Sequence, residues 1–183
     1  MQVKTIGYDA RVIPAFSNEA LRRGARILAF AGFTAAGAQL AVRLPFTPVP
    51  VTMQTLFVIL AGVTLGARDG FYAMLSYVAL GFAGAPVFAG FGGGPAALFG
   101  PTGGYLVAFP AAALVSGYLS TAFGSGRAAV FFASLCGFAC ILLGGASYLS
   151  FASGLSFPRT AALAIVPFVA GELAKAVIAA FAA

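Results

Sequence analysis

The stretch RAAVFFASLCGFACILLGGASYL, running from Arg127 to Leu149, decides the class of fold. Its one charge stands at its first position, and everything after it is apolar, small or weakly polar. About 20 such residues in a helix cross the hydrocarbon core of a bilayer. No polar stripe recurs at helical spacing, so this segment has no face suited to water.

Working outward, the same pattern repeats on both sides. Spans are expected at about 25–44, 51–66, 70–83, 103–121 and 127–149, with a last one ending near Ala182. The breaks between them carry their own chemistry. Pro45, Pro48 and Pro50 interrupt the first two, because proline lacks an N–H and restricts its neighbour. Arg68-Asp69-Gly70 is expected to separate the second and third. Residues 84–104 hold eight glycines and three prolines, which predicts a long ordered loop rather than a helix. Gly124-Ser125-Gly126 predicts a tight turn, and Ser150 to Pro158 the last break. The final helix admits two readings: one helix from Arg159, or a short surface helix over 159–166 followed by a span opening at Pro167. The second is preferred, because proline suits the first helical turn.

Composition agrees. Of the 183 residues 61% are hydrophobic and 8% charged, against about a quarter charged in a soluble domain. The formal charge of +6 does not point to nucleic acid, since five of the ten basic residues (Lys4, Arg11, Arg22, Arg23, Arg26) precede the first apolar run. Residues 1–24 therefore read as a cytoplasmic tail and 25–183 as the membrane domain. Ala36-Gly37-Ala38 has the look of a signal-peptidase site, but the spans that follow favour retention of this segment as the first helix. Counting Lys and Arg in the flanks places seven on the side of the N-terminus and two, Arg43 and Arg159, on the other. Six spans with both termini in the cytoplasm, in the inner (plasma) membrane, satisfy the positive-inside rule. The proline, glycine-rich and last loops then gather outside.

Several chemistries are excluded. With two lysines, neither after a glycine-rich strand–helix turn, there is no Walker A motif. With no His there is no zincin site and no His-based triad, and four acidic residues make paired-carboxylate hydrolysis improbable. Cys136 and Cys140 read as small hydrophobes. No catalytic residue, metal site or cofactor is expected.

Three features stand out. Glu172 and Lys175, three apart, form the one charged pair within an expected span. They share a helix face. Ionisable groups at membrane depth face each other or a polar cavity, so the pair is either a structural pin for the last helix, a polar anchor for a small ligand, or a proton relay. Gly100-Pro101-Thr102-Gly103-Gly104-Tyr105 follows Ala89-Gly90-Phe91-Gly92-Gly93-Gly94. Here glycine either exposes backbone N–H groups to a ligand or simply forms a loop. Pro45-Phe46-Thr47-Pro48-Val49-Pro50 is a stiff extended segment that could act as a lid or merely break the helix. Gln54 follows it with an amide that both donates and accepts.

Taken in order, Pro48-Val49-Pro50-Val51-Thr52-Met53-Gln54, Leu65-Gly66 with Arg68, Gly84-Ala85-Pro86-Val87-Phe88-Ala89-Gly90, Gly100-Pro101-Thr102-Gly103-Gly104-Tyr105-Leu106, and Pro167-Phe168 through Gly171-Glu172 to Lys175 resemble the BioY family. These are the biotin-specific substrate-capture (S) components of energy-coupling factor transporters, and the resemblance covers about residues 25–180. It implies an all-α, six-transmembrane-helix S-component fold, biotin bound near the outer face, and a lid after the first helix. It also implies docking of a transmembrane coupling subunit on the first helix, best matched by Ala25 and Ala29. ATP would be hydrolysed by separate ATPase subunits. One departure is that the family usually carries Asp where this chain has Glu172.

Biotin presents an apolar thioether ring, a ureido group with two donors and one acceptor, and a carboxylate. On the resemblance, Glu172 is expected to accept from a ureido N–H, and Lys175 to neutralise Glu172 or meet a ligand oxygen. Gln54 and the amides around Gly92, Gly103 and Gly104 would complete the polar set. Phe46, Val49, Phe88 and Tyr105 would supply apolar walls. Expected partners are biotin, the coupling and ATPase subunits and membrane lipid, with no nucleic acid. The alternatives are an S component for another vitamin, a proton-coupled secondary carrier using Glu172 and Lys175, or a structural subunit of a larger membrane complex.

Overall fold

The computed structural model describes residues 18–124 and 126–183. The expected tail over residues 1–17, and Ser125 of the expected turn, lie outside the described residues. Among those described, the chain is mostly helical: α1 (Asn18–Gln39), β1 (Ala41–Val42), β2 (Val51–Thr52), α2 (Gln54–Leu65), α3 (Ala67–Phe82), a 3-10 turn (Ala89–Phe91), α4 (Pro95–Phe99), α5 (Gly103–Ala122), α6 (Arg127–Ser153), α7 (Phe157–Ala164) and α8 (Val166–Ala182).

Helix α5 is the centre of the bundle, packed against α6, α2 and α3. Helix α1 covers α2 and α3 on one flank, and α8 lies against α6 and reaches back to α2. Small residues make this closeness possible. A Cβ on Gly62 of α2 would run into the carbonyl and side chain of Ala113 and Ser116 on α5, and one on Gly117 of α5 would meet Ala67. Without a hydrophobic driving force between helices in lipid, such backbone-to-backbone approach is what dispersion requires.

The molecule is apolar outside and carries its buried polar groups within. Val107, Leu114, Tyr118, Phe132, Leu143, Phe151, Val177 and Phe181 are exposed. Gln54, Glu172 and Lys175 are each 5% exposed. Among the described residues two helices, α5 and α6, are long and apolar enough to cross a membrane alone. The α7–α8 pair, bent by 47°, passes the same test as one broken span.

The charges gather at the ends of the bundle. Arg23 of α1 grips Asp69 of α3 through two nitrogens, with Nε 2.9 Å and 3.0 Å from the two carboxylate oxygens. At the same end Arg127 of α6 stacks 4.8 Å above the ring of Phe181, near the end of α8.

Several sequence expectations need correction. Helix α1 starts at Asn18 rather than 25, and it stops at Gln39 rather than 44. The all-helical expectation must admit a hairpin, in which Ala41 pairs with Thr52 and Val42 with Val51. The prolines lie in its long connection, where no ladder N–H is needed. Arg68-Asp69-Gly70 does not separate two helices, because it lies in the first turns of α3. The break is Gly66 alone, at φ 84° and ψ 167°, a conformation open essentially to glycine. The loop over 84–104 is not wholly irregular, since it contains the 3-10 turn and α4.

The last helix divides as preferred. Ile165 (φ −121°, ψ −58°) ends α7, Pro167 sits in the first turn of α8, and α8 runs 17 residues. The carbonyl of Ala164 at the break accepts a hydrogen bond from the Tyr105 hydroxyl at 2.8 Å. That supplies a partner for one of the orphan acceptors at a helix end.

Candidate ligand-binding site

A cavity of about 680 Å³ opens at the end of the bundle opposite the Arg23–Asp69 pair. Its roof and mouth come from the β1–β2 hairpin and the segment 88–92. Its walls come from α5, α6 and α8, and its floor from the start of α2 with Glu172 of α8. The volume lies within the range of small-molecule sites, about 300–1,000 Å³. The walls are apolar: Val49, Phe88, Leu106, Phe109, Ile141 and Phe168. Phe88 is held by the Tyr77 ring at 5.5 Å, edge to face.

The floor is a polar network. Lys175 Nζ donates to the Thr52 carbonyl at 2.8 Å, to Thr55 Oγ1 at 2.8 Å and to Glu172 Oε1 at 2.9 Å. An ammonium has three protons, so all three are engaged. The Thr55 hydroxyl lies 3.1 Å and 3.0 Å from the two Glu172 oxygens and donates its one proton to that carboxylate. Glu172 lines the cavity and keeps acceptor capacity on Oε2, whereas Lys175 stands behind it, off the cavity wall. The charge pair is thus compensated, as burial of ions demands.

Gln54 is fixed in the same way. Its amide nitrogen donates to the Tyr77 hydroxyl, its Oε1 accepts from Thr52 Oγ1 at 3.0 Å, and the Tyr77 hydroxyl donates to the Val87 carbonyl at 3.0 Å. No buried side-chain nitrogen or oxygen among the described residues lacks a hydrogen-bond partner. At the mouth, Gln39 clamps the 88–92 segment: its Nε2 donates to the Phe88 carbonyl at 3.1 Å, and its Oε1 accepts from the Phe91 N–H at 3.0 Å. That clamp holds Phe91 at φ 58°, an uncommon conformation for a residue with a bulky side chain.

Of the residues singled out by sequence, the structure brings Val49, Gln54, Phe88, Gly92, Tyr105 and Glu172 to the cavity. Tyr105 offers its ring, with its hydroxyl turned to Ala164. Phe46 is not in the lining and is 57% exposed, because the hairpin connection turns it outward. Gly103 and Gly104 are buried and off the wall. Their lack of a side chain serves packing: a Cβ on Gly103 would strike the Leu98 carbonyl and one on Gly104 the side chain of Tyr148. The Gly103 N–H itself is engaged by the Gly100 carbonyl at 3.0 Å. Ala25 and Ala29 are far from the cavity, exposed on the outer face of α1.

Sequence reading missed Gln39, Arg43, Thr55, Phe109, Ile141 and Phe168. Thr55 was within reach, one position past Gln54 and so turned toward a neighbouring helix. Ile141 and Phe168 carry no signal that separates them from other apolar residues.

A sequence model described as the BioY family matches residues 10–183. The chain is 43% identical over 148 residues to the "Probable biotin transporter BioY" of Pyrococcus horikoshii, covering 80% of this chain and 85% of the relative. It is 39% identical over 147 residues to the "Biotin transporter BioY" of Rhizobium etli, covering 76% and 78%. Its fold matches a crystal structure of "the S-component for biotin from an ECF-type ABC transporter" with a TM-score of 0.84, at 24% identity and 91% and 90% coverage.

Proposed function

The chain belongs to the BioY family, and from that premise we propose that it is the biotin-capturing S component of an energy-coupling factor transporter. It takes biotin from the outer side of the cell membrane for import. The relatives are biotin transporters by name, and the observation that carries the reading is the cavity floor. One carboxylate lines an apolar cavity, its charge balanced from behind by a lysine with no proton left for a ligand.

In this reading Glu172 Oε2 accepts from a ureido N–H of biotin, and Gln54 faces the same ring. Val49, Phe88, Tyr105 and Phe168 enclose the apolar thioether ring. Lys175 balances the charge of Glu172 and meets no ligand oxygen. Gly92 borders the cavity as part of the mouth, while Phe46, Gly103 and Gly104 act by shaping the loop and the α5 start.

Six crossings follow from α1, α2, α3, α5, α6 and the broken α7–α8 pair. The Arg23–Asp69 and Arg127–Phe181 contacts tie two of the basic flank positions to one end, away from the cavity. The positive-inside rule makes that end, with both termini, cytoplasmic. Ala25 and Ala29 lie exposed on α1 near it and form the docking strip for the coupling subunit, with ATP hydrolysed by separate subunits.

Thermal unfolding of the purified protein in detergent, with biotin, thiamine or riboflavin added, tests the substrate. Biotin alone should raise the midpoint, since only a ligand that binds the folded state stabilises it. A shift with thiamine or riboflavin and none with biotin would reassign the vitamin. No shift with any would favour a structural subunit.

A further inference from the structure

Two charged residues line the cavity among the described residues, Glu172 at its floor and Arg43 at its mouth. Their situations are opposite. Glu172 is buried and fully compensated, whereas Arg43 is exposed and has no hydrogen bond or ion pair among the described residues. Arg43 follows β1 directly, so the hairpin fixes where its backbone leaves. Its guanidinium lies against Gly90, 3.3 Å from where a Cβ would sit there, and Gly90 is itself in a left-handed conformation at φ 67°. The Gln39 clamp holds the neighbouring Phe88 and Phe91 in place. The cation therefore has a defined seat over the mouth, with its donors unused.

We infer that Arg43 is a specificity residue that binds the carboxylate of the captured ligand. This rests on the biotin reading, in which the ureido end occupies the floor and the flexible acidic chain points to the mouth. A guanidinium presents paired N–H donors that match a carboxylate in two parallel hydrogen bonds. A ligand with its acidic end elsewhere would leave this cation unmatched, so the site selects a molecule that is neutral at one end and anionic at the other. The adjacent bare backbone at Gly90 leaves the guanidinium room that any larger residue would take.

The test is calorimetric titration of the full chain in lipid nanodiscs with biotin and with biotin methyl ester, which differs at the carboxylate alone. The wild type should prefer biotin over the ester by about tenfold, the scale of a charge-assisted hydrogen bond partly screened by water. Arg43→Ala should lose that preference, binding biotin about tenfold more weakly and the ester unchanged, while Arg43→Lys keeps part of it. Equal weakening of both ligands by Arg43→Ala would assign Arg43 a structural role and overturn the inference, as would unchanged biotin binding. A wild-type protein that binds neither ligand would remove the biotin reading and this inference with it.

Discussion

At the scale of single residues, the Glu172–Lys175 pair is asymmetric: Glu172 lines the cavity and Lys175 stands off its wall. Glu172→Ala should weaken biotin binding by about 1.5–3 kcal/mol, the range for a hydrogen bond to a charged group. It also leaves the Lys175 ammonium buried without its carboxylate, with Thr52 and Thr55 still accepting from it, so the thermal midpoint should fall as well. Lys175→Met leaves the Glu172 carboxylate buried without its cation, a change that typically destabilises by about 3–5 kcal/mol, and should act through stability rather than through a lost ligand contact. If Lys175→Met lost binding with no loss of stability, the division of roles would be wrong. The pair itself was legible, as the one charged pair in an expected span. Its partners were not: Thr52 and Thr55 lie more than a hundred residues away in sequence, and only the fold brings α2 against α8. Arg43 was legible merely as an outer-flank charge, since its place over the cavity depends on the hairpin.

At the scale of elements, what breaks each helix proved more instructive than the apolar runs. Apolar runs mark where helices are but blur their ends, which is why the sequence predicts α1 from residue 25 although it begins seven residues earlier, and predicts a break at Arg68-Asp69-Gly70 although those residues lie in the first turns of α3. A single glycine, Gly66, suffices for that turn because its conformation needs no side chain. The hairpin was hidden because two-residue strands leave no periodicity to read. Gly104, expected to face a ligand, instead lets α5 and α6 meet, since a Cβ there would strike Tyr148. A Cβ on Gly145 of α6 would collide with the ring of Tyr105, so Gly145→Val should destabilise the protein by about 1–3 kcal/mol, as overpacking does. It should also disturb biotin binding through Tyr105, and thermal unfolding with and without biotin measures both. Unchanged stability would mean that the α5–α6 seam is looser than described.

At the scale of the whole molecule, the cavity and the exposed face of α1 near the Arg23–Asp69 end lie apart, which predicts that capture and coupling separate. Ala29→Trp should leave biotin binding to the isolated protein unchanged while lowering cellular uptake when the coupling and ATPase subunits are present. Equal uptake by wild type and variant would move the docking surface elsewhere. The helical class and the order of the helices were readable from sequence, because lipid imposes its demand on every segment alike. The cavity was not, because it is a property of the hairpin, the 88–92 segment and four helices together.

The central claim is that an apolar cavity with one balanced carboxylate captures biotin. Its most direct test is titration of biotin into the purified protein and, in parallel, into Glu172→Ala. The wild type should bind biotin saturably at one site per chain, and the variant about tenfold or more weakly. Absence of binding in the wild type, or equal affinity in the two proteins, would contradict it.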